Sequence, residues 1–442
     1  MSTGLREEVK ESMKLLQQVR IIEPVQGIDQ LADVLIIEGK IKLIHQQITD
    51  YPAQTTVMKP SGLILGTGLV DLYSHSGEPG NEGRESLFEL SQAAAKGGFT
   101  QIGILPDTNP ALNNAEMIVA LKRKGDMLDN CLNSSNTSAD QQICLPHLAF
   151  WGAAYSRVHQ KMNALGELQS EVIGFASRHN LSTLNVLRQI LEYVQPWQKP
   201  IAIALQQNEL AGNGVVREGV ASIRYGMAGN PGFSEAAMIA AVLEIATEIP
   251  TPLHIMRVST QRGVELIADA KARGVRVSAS TTWMHLLWDS QAVVSYSPNL
   301  RLEPPLGNEA DRLALIEGVR QGIIEAIAID HQAYTYEEKT VAFALAPPGV
   351  VGLELALPLL WQRFVQTGEW SAIELWQALS SRPRQCLQQT PKAIAIDQAA
   401  DLVLFAPEEK WIADRSSLKS PAANTPWYGQ EITGKVIKTW IT

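Results

Sequence analysis

The chain has 442 residues, of which 45% are hydrophobic and 19% are charged, a balance typical of a globular protein with a large core. Its net charge of -9 argues against a nucleic-acid-binding protein, because such a protein needs a basic face. Its three cysteines are dispersed and in no CxxC spacing, which argues against a disulfide framework or a cysteine-type zinc site and favours a reducing cytoplasm.

The N-terminal residues are charged and polar, and no apolar run in the chain reaches ~18 residues, so we expect neither a signal peptide nor a membrane span. Residues 5–18 have the pattern of a short amphipathic helix, which predicts a helical extension over residues 1–18. The apolar segments 34–37 and 41–44 then flank a Glu-Gly-Lys turn and predict a hairpin of short strands.

The C-terminal end has a strand pattern similar to that of the hairpin. Segments 401–405 and 435–438 are strand-like, and a stretch with Pro- and Asn-containing turns separates them. Because two β-rich ends flank a long middle, we predict one small β-sheet domain assembled from residues 19–64 and 393–442.

The middle of the chain, residues 65–392, alternates apolar strands with amphipathic helices. This alternation favours an α/β fold whose parallel sheet closes into a (β/α)8 barrel, with functional groups at the C-terminal ends of the strands. The polar segment 128–142 predicts an exposed loop. The predicted strands include 100–105, 200–204, 252–258, 274–279 and 324–329, and the predicted helices are 85–96, 234–247, 260–273 and 309–321.

Several motifs with chemically active side chains stand where these strands end. They read Gly-Leu-Val-Asp-Leu-Tyr-Ser-His-Ser-Gly-Glu-Pro-Gly at 68–80, Leu-Pro-Asp-Thr-Asn-Pro at 105–110, His-Ile-Met-Arg-Val-Ser-Thr at 254–260 and Ala-Ile-Asp-His-Gln-Ala-Tyr at 328–334. In this order they resemble the motifs of dihydroorotases and related cyclic amidohydrolases, and the resemblance spans nearly the whole chain. It implies an amidohydrolase barrel with a terminal β-sandwich.

The resemblance also implies a chemistry, the zinc-dependent hydrolysis of a cyclic amide in pyrimidine biosynthesis. Bound zinc supplies the nucleophile by lowering the pKa of water to about 7. Two histidines two residues apart on a strand project to the same side and grip the ion. His75 matches the second histidine of this pair, and Asp330 matches the catalytic aspartate, the general base of the family.

The other expected metal ligands are replaced. A zinc site normally takes three or four protein ligands, so His75 with Asp330 is too small a set. We therefore expect no zinc cofactor and a loss of hydrolytic activity. The replacements are Tyr73 and Arg257 for two ligand histidines, Ala204 for a third and Ser177 for the bridging aspartate.

The substrate-binding positions have changed as well. Gly77 and Gly307 stand in place of two arginines, which removes the bidentate clamp for a carboxylate substrate. Two asparagines are replaced by Asp107 and Glu303. The pocket that remains is expected to be lined by Tyr73, Asp107, Arg257 and Glu303.

Two interpretations of each retained residue stay open. His75 is either a residual metal ligand or a hydrogen-bonded histidine in a polar pocket. Asp330 is either a general base or the ion-pair partner of Arg257, and such a pair would lower its pKa and weaken it as a base. Strand alternation predicts that His254 faces away from the pocket. A rebuilt metal site would draw on His75, Asp107, His179 and Asp330.

Because the metal-ligand positions are replaced while the overall motif order is kept, we favour a non-catalytic dihydroorotase homologue. The resemblance implies that such homologues can serve as structural partners of aspartate carbamoyltransferase. One alternative is an active dihydroorotase or other cyclic amidohydrolase with an altered metal site. Another is a pocket that binds a small ligand for regulation. The sequence leaves self-association into a homo-oligomer open.

Overall fold

A computed structural model describes residues 13–59, 61–134, 144–156, 158–177 and 183–441. Within these ranges, seven strands from both ends of the chain form one continuous sheet, in the order β19-β18-β5-β1-β2-β3 with β4 beside β1. The strands are β1 (Met13–Glu23), β2 (Ile28–Ile37), β3 (Lys40–His45), β4 (Thr56–Met58), β5 (Ile64–Thr67), β18 (Leu402–Ile412) and β19 (Glu431–Trp440). The sheet confirms the predicted hairpin and the β domain built from both termini.

The predicted helix over residues 5–18 is wrong for residues 13–18, which form the start of β1; residues 1–12 lie outside the described ranges. Leu15 and Leu16 are fully buried and pair with Leu35 and Val34 of β2. Pairing with a strand that follows in the chain therefore overrides the local helical pattern. The sheet also extends past the predicted boundary at residue 64, because β5 continues to Thr67 and pairs with both β1 and β18.

Eight further parallel strands of the described chain confirm the barrel, in the order β6-β7-β8-β11-β12-β15-β16-β17. They are β6 (Leu69–Ser74), β7 (Phe99–Ile104), β8 (His147–Ala153), β11 (Gly174–Ser177), β12 (Ile201–Ala204), β15 (Leu253–Met256), β16 (Val277–Thr282) and β17 (Ala326–Ala328). Two short pairs, β9 (Tyr155–Ser156) with β10 (Lys161–Met162) and β13 (Val216–Arg217) with β14 (Gly229–Asn230), lie in the connections.

Helices surround the barrel and pack their apolar faces on its outer surface. The first begins at a capping box of Ser86 and Glu89, which satisfies its free N-terminal amides. The helices are α1 (Leu87–Lys96), α2 (Ala115–Ser134), α3 (Leu165–Leu168), α4 (Leu184–Val194), α5 (Asn208–Ala211), α6 (Val220–Arg224), α7 (Phe233–Glu248), α8 (Gln261–Ala272), α9 (Trp283–Leu287), α10 (Glu309–Gln321), α11 (Tyr336–Lys339), α12 (Ala356–Leu360), α13 (Ala372–Trp376) and α14 (Arg382–Cys386).

The polar segment 128–142 was predicted to be a loop, and this is wrong for residues 128–134, where α2 continues to Ser134. Residues 135–142 lie outside the described ranges. A polar composition by itself therefore does not mark the end of a helix, since α2 runs through the first part of this segment. No helix in the described part of the chain is long and apolar enough to cross a membrane.

The first and last barrel strands meet at a seam. In the described residues β6 and β17 form no ladder, and two backbone bonds close the barrel near the C-terminal ends of these strands. The amide of Asp330 donates to the carbonyl of Tyr73 at 3.2 Å, and the amide of His75 donates to the carbonyl of His331 at 2.8 Å. The seam thus brings the ends of the two strands with the retained motif residues together.

Candidate functional site

The mouth of the barrel holds one hydrogen-bonded network that contains five of the six site residues predicted from the sequence. Tyr73 and His75 come from the end of β6, Asp107 follows β7, Arg257 follows β15 and Asp330 follows β17. Parallel strands place their C-terminal ends at the same edge, so residues far apart in the chain meet there.

Arg257 is the centre of this network. Its side chain is 2% exposed, and its terminal nitrogen lies 2.5 Å from an oxygen of Asp330 and 3.1 Å from Nε2 of His75. The backbone of Arg257 has a φ of +58°, in the left-handed region that costs a non-glycine residue on the order of 1 kcal/mol or more. That turn directs the guanidinium over the mouth, where it also lies 5.6 Å from the centre of the Tyr73 ring.

The imidazole of His75 lies between two carboxylates. Its Nδ1 is 2.8 Å from Asp107, and its Nε2 is 3.2 Å from Asp330. The ion pair between Asp330 and Arg257 is the second of the two arrangements foreseen for that aspartate. Burial by itself would raise the pKa of Asp330, but the Arg257 guanidinium and the His75 hydrogen bond outweigh it and hold that pKa well below its usual range. An aspartate in this state is a weak proton acceptor.

Tyr73 fills the floor of the site. Its side chain is fully buried, its hydroxyl lies 2.9 Å from Oγ of Ser280, and it accepts a hydrogen bond from the backbone amide of Arg257 at 3.1 Å. Burial raises the pKa of this phenol, so it stays neutral. The phenol ring of Tyr73 thus stands at the position where the resemblance implies a ligand histidine.

The expectation that His254 faces away from the pocket is wrong. Its Nδ1 lies 2.9 Å from Ser278 and its Nε2 lies 2.8 Å from Ser280, so the ring is inside the barrel beneath Tyr73. The strand alternates up to Met256, and the left-handed turn at Arg257 then breaks the alternation. Burial lowers the pKa of His254 to about 3, which keeps this histidine neutral.

The remaining carried-over positions also lie at strand ends or in the loops of the mouth. Ser177 ends β11 and Ala204 ends β12. Glu303 lines a cavity of about 10 Å³ together with Asp330 and His285. That space is about enough for one water molecule.

Both glycines that replace arginines are closely packed. An added Cβ on Gly77 would lie 2.3 Å from the carbonyl oxygen of Glu85, and one on Gly307 would lie 2.5 Å from Cβ of Asp311. No side chain fits at either position unless its neighbours move. The sequence lacks the two arginines of the substrate clamp implied by the resemblance, and the packing of these loops leaves no space for them.

Among the residues that the structure describes, no group of three His, Cys, Asp or Glu side chains is arranged to hold an ion. His75, Asp107 and Asp330 are close together, but Arg257 lies against two of them. His179, the fourth member of the rebuilt site considered above, lies outside the described ranges.

Two further buried groups hold the seam: sequence reasoning gave no role to Asp71 and considered only a structural one for His331. Asp71 accepts hydrogen bonds from the amide of Ile329 at 2.8 Å and from the hydroxyl of Ser74 at 2.6 Å, and burial raises its pKa to about 7. His331 lies 3.0 Å from Glu85, which is completely buried. A signal was present, since Asp71 and His331 both stand inside matched motifs, but which side of the strand they occupy is decided only in the closed barrel.

Comparison with known proteins agrees with this geometry. No family model matches the chain. It is 39% identical over 436 residues to the probable dihydroorotase-like protein of Synechocystis sp., covering 95% of this chain and 98% of that protein. It is 31% identical over 434 residues to the dihydroorotase of Pelobacter propionicus, covering 96% and 97%.

Two solved structures share the fold across nearly the whole chain. The L-hydantoinase (dihydropyrimidinase) of Arthrobacter aurescens superposes with a TM-score of 0.80 at 21% identity, covering 97% of this chain and 96% of that one. The dihydropyrimidinase of Brevibacillus agri gives 0.77 at 17% identity, covering 97% and 94%. The fold is thus that of these cyclic amidohydrolases, and with its full-length relatives above 30% identity the chain belongs to the dihydroorotase family.

Proposed function

We propose that this protein is a non-catalytic member of the dihydroorotase family that acts in the cytoplasm as a structural or regulatory partner of aspartate carbamoyltransferase in pyrimidine biosynthesis. The observation that carries the first part is the position of the Arg257 guanidinium, 2.5 Å from Asp330 and 3.1 Å from His75. The dispersed cysteines, of which Cys144 and Cys386 are free thiols, support a reducing compartment.

The side chains at the mouth do not fit a zinc ion. Zinc takes three or four protein ligands at about 2.0–2.3 Å. Here a permanently charged guanidinium contacts the two retained family residues, His75 and Asp330, and would repel a cation placed between them. At three other strand ends, the positions of the expected metal ligands are occupied by Tyr73, Ser177 and Ala204. The hydroxyl of Tyr73 is engaged with Ser280 and with the backbone amide of Arg257.

The packing also argues against a substrate of dihydroorotate size in the family position. The cavity beside Asp330 measures about 10 Å³, whereas small-molecule sites usually measure about 300 Å³ or more. Gly77 and Gly307 are packed against their neighbours and leave no space for the arginines that would clamp a carboxylate. The replacement of the metal ligands and the loss of the clamp are separate changes, and both support a non-catalytic protein.

Metal content and dihydroorotase activity test the non-catalytic proposal together. Protein purified from zinc-supplemented cells should contain far less than one zinc per chain by elemental analysis and should not hydrolyse dihydroorotate. His75→Ala and Asp330→Asn serve as controls, because activity that survives in both variants comes from a contaminant. Stoichiometric zinc together with turnover that both variants lose would overturn the proposal and establish an active amidohydrolase with an altered site.

Copurification tests the partnership. Affinity-tagged protein expressed in its native cells should bring down aspartate carbamoyltransferase, and light scattering on the eluted complex should give its stoichiometry and any self-association. Recovery of the chain alone, at concentrations where its own oligomer is intact, would reject the partnership and leave the non-catalytic proposal in place.

A further inference from the structure

The charges at the barrel mouth pose a structural problem. Asp107 and Asp330 lie on the two nitrogens of one imidazole, and the buried Asp71 accepts a hydrogen bond from the amide of Ile329, the residue before Asp330. Like charges repel one another more strongly in a partly desolvated site than in water. Asp71 and Asp330 flank the seam, where two backbone bonds at the strand ends close the described barrel.

Arg257 is placed to offset this repulsion. It stands at the end of β15, two strands away from β17, and reaches across the mouth to Asp330 and His75, one on each side of the seam. Its backbone amide also donates to Tyr73, whose carbonyl accepts one of the two seam bonds. The side chain thus contacts both edges of the seam at once.

The cost of this arrangement supports a structural role. Arg257 adopts a left-handed backbone conformation, and its Nε is buried without a hydrogen-bond partner. Each of these features is unfavourable, so it persists only where the surrounding contacts over-determine it.

We propose that the guanidinium of Arg257 performs the structural task of a metal cation: it supplies the fixed positive charge that holds His75 and Asp330 together across the barrel seam, so that the fold is stable without metal. This inference rests on the proposed absence of zinc but is independent of the partnership with a carbamoyltransferase. In this view, the guanidinium of Arg257 has replaced the metal ion as the positive charge at the barrel mouth.

The test is thermal unfolding of the full chain and three variants, each with EDTA and with zinc. The wild-type melting temperature should be the same in both. Arg257→Ala should melt several degrees lower in EDTA, and Arg257→Lys, which keeps a charge without the planar fork, should lose less. Zinc should raise the melting temperature of Arg257→His, which adds a third ligand beside His75 and Asp330, and should leave that of Arg257→Ala unchanged, because two protein ligands do not hold zinc.

Arg217→Ala is the matched control. Arg217 is equally buried and donates to Ser259 at 2.6 Å, so its loss should lower the melting temperature without any rescue by zinc. Hydrogen exchange gives a local readout: the amides of His75 and Asp330 should exchange faster in Arg257→Ala than in Arg217→Ala.

Four results would overturn the inference: wild-type stability of Arg257→Ala, equal losses in Arg257→Lys and Arg257→Ala, no zinc rescue of Arg257→His, or EDTA-sensitive wild-type protein. Failure here is distinguishable from failure of the proposed function. If the wild-type protein is zinc-free and inactive but Arg257→Ala melts at the wild-type temperature, only the role of Arg257 is rejected. Zinc-dependent turnover by the wild type would instead reject the proposed function.

Discussion

The α-carbon of Gly77 faces the carbonyl oxygen of Glu85 so closely that an added Cβ would lie 2.3 Å from it. Because the obstacle is backbone, Gly77→Ala should destabilise the fold by about 1–3 kcal/mol, measured by urea unfolding. Gly83→Ala, in the same loop with no atom within 4 Å of its Cβ, should be close to neutral. Equal effects of the two substitutions would contradict a packed loop at Gly77.

The buried ion pair predicts a large effect of Asp330→Asn. Removing this carboxylate leaves the charge of Arg257 buried without its ionic partner, which should cost about 3–5 kcal/mol of unfolding free energy. The exposed pair of Arg188 and Glu192 is the comparison, and Glu192→Gln should cost about 0–1 kcal/mol. If Asp330→Asn were as mild as the surface substitution, the Arg257 pair would contribute little.

The hydroxyl of Tyr73 predicts a smaller effect. Tyr73→Phe keeps the ring but leaves the amide of Arg257 without its buried acceptor, which should cost about 1–3 kcal/mol. Tyr336→Phe, at a residue that is 76% exposed, should have no measurable effect. The comparison is made by chemical denaturation, and a neutral Tyr73→Phe would show that water replaces the lost acceptor.

Glu354 predicts a pH dependence. Burial raises its pKa to about 7, although it accepts hydrogen bonds from the amides of Lys419 and Ser420. Its ordinary pKa is near 4.5, so between these values the folded chain holds a proton that the unfolded chain has released. Stability should therefore fall as pH rises from 5 to 8, by about 2 kcal/mol from this group.

Glu354→Gln should make the wild-type slope shallower by the contribution of this one group, because the amide does not ionise, while Asp71, whose pKa is also raised to about 7, keeps its own contribution. Urea unfolding at pH 5 and pH 8 measures the difference, and Glu244→Gln, at a 71% exposed side chain, should leave the slope as it is in the wild type. A wild-type slope retained in Glu354→Gln would mean that another group carries the pH dependence.

Much of the fold could be predicted because its signals are local. The hairpin of β2 and β3, the helices α7, α8 and α10 and the barrel strands all follow apolar periodicity and turn residues along the chain. The start of β1 could not be predicted, since Leu15 and Leu16 form a strand only by pairing with β2. The prediction for the orientation of His254 was wrong for a related reason. It assumed that side chains alternate up to Arg257, but the left-handed turn at Arg257 breaks this alternation.

The sequence by itself determined which side chains stand at the ends of the barrel strands. From this alone it follows that Tyr73, Ser177, Ala204 and Arg257 occupy positions where the family motif has metal ligands. Only the tertiary structure decided what these replacements do. The strands must close before Arg257 reaches both Asp330 and His75, and before the carbonyl of Glu85 meets Gly77. The type of residue at each position can be read from the sequence, whereas charge compensation and steric exclusion depend on distances between residues as much as 255 positions apart.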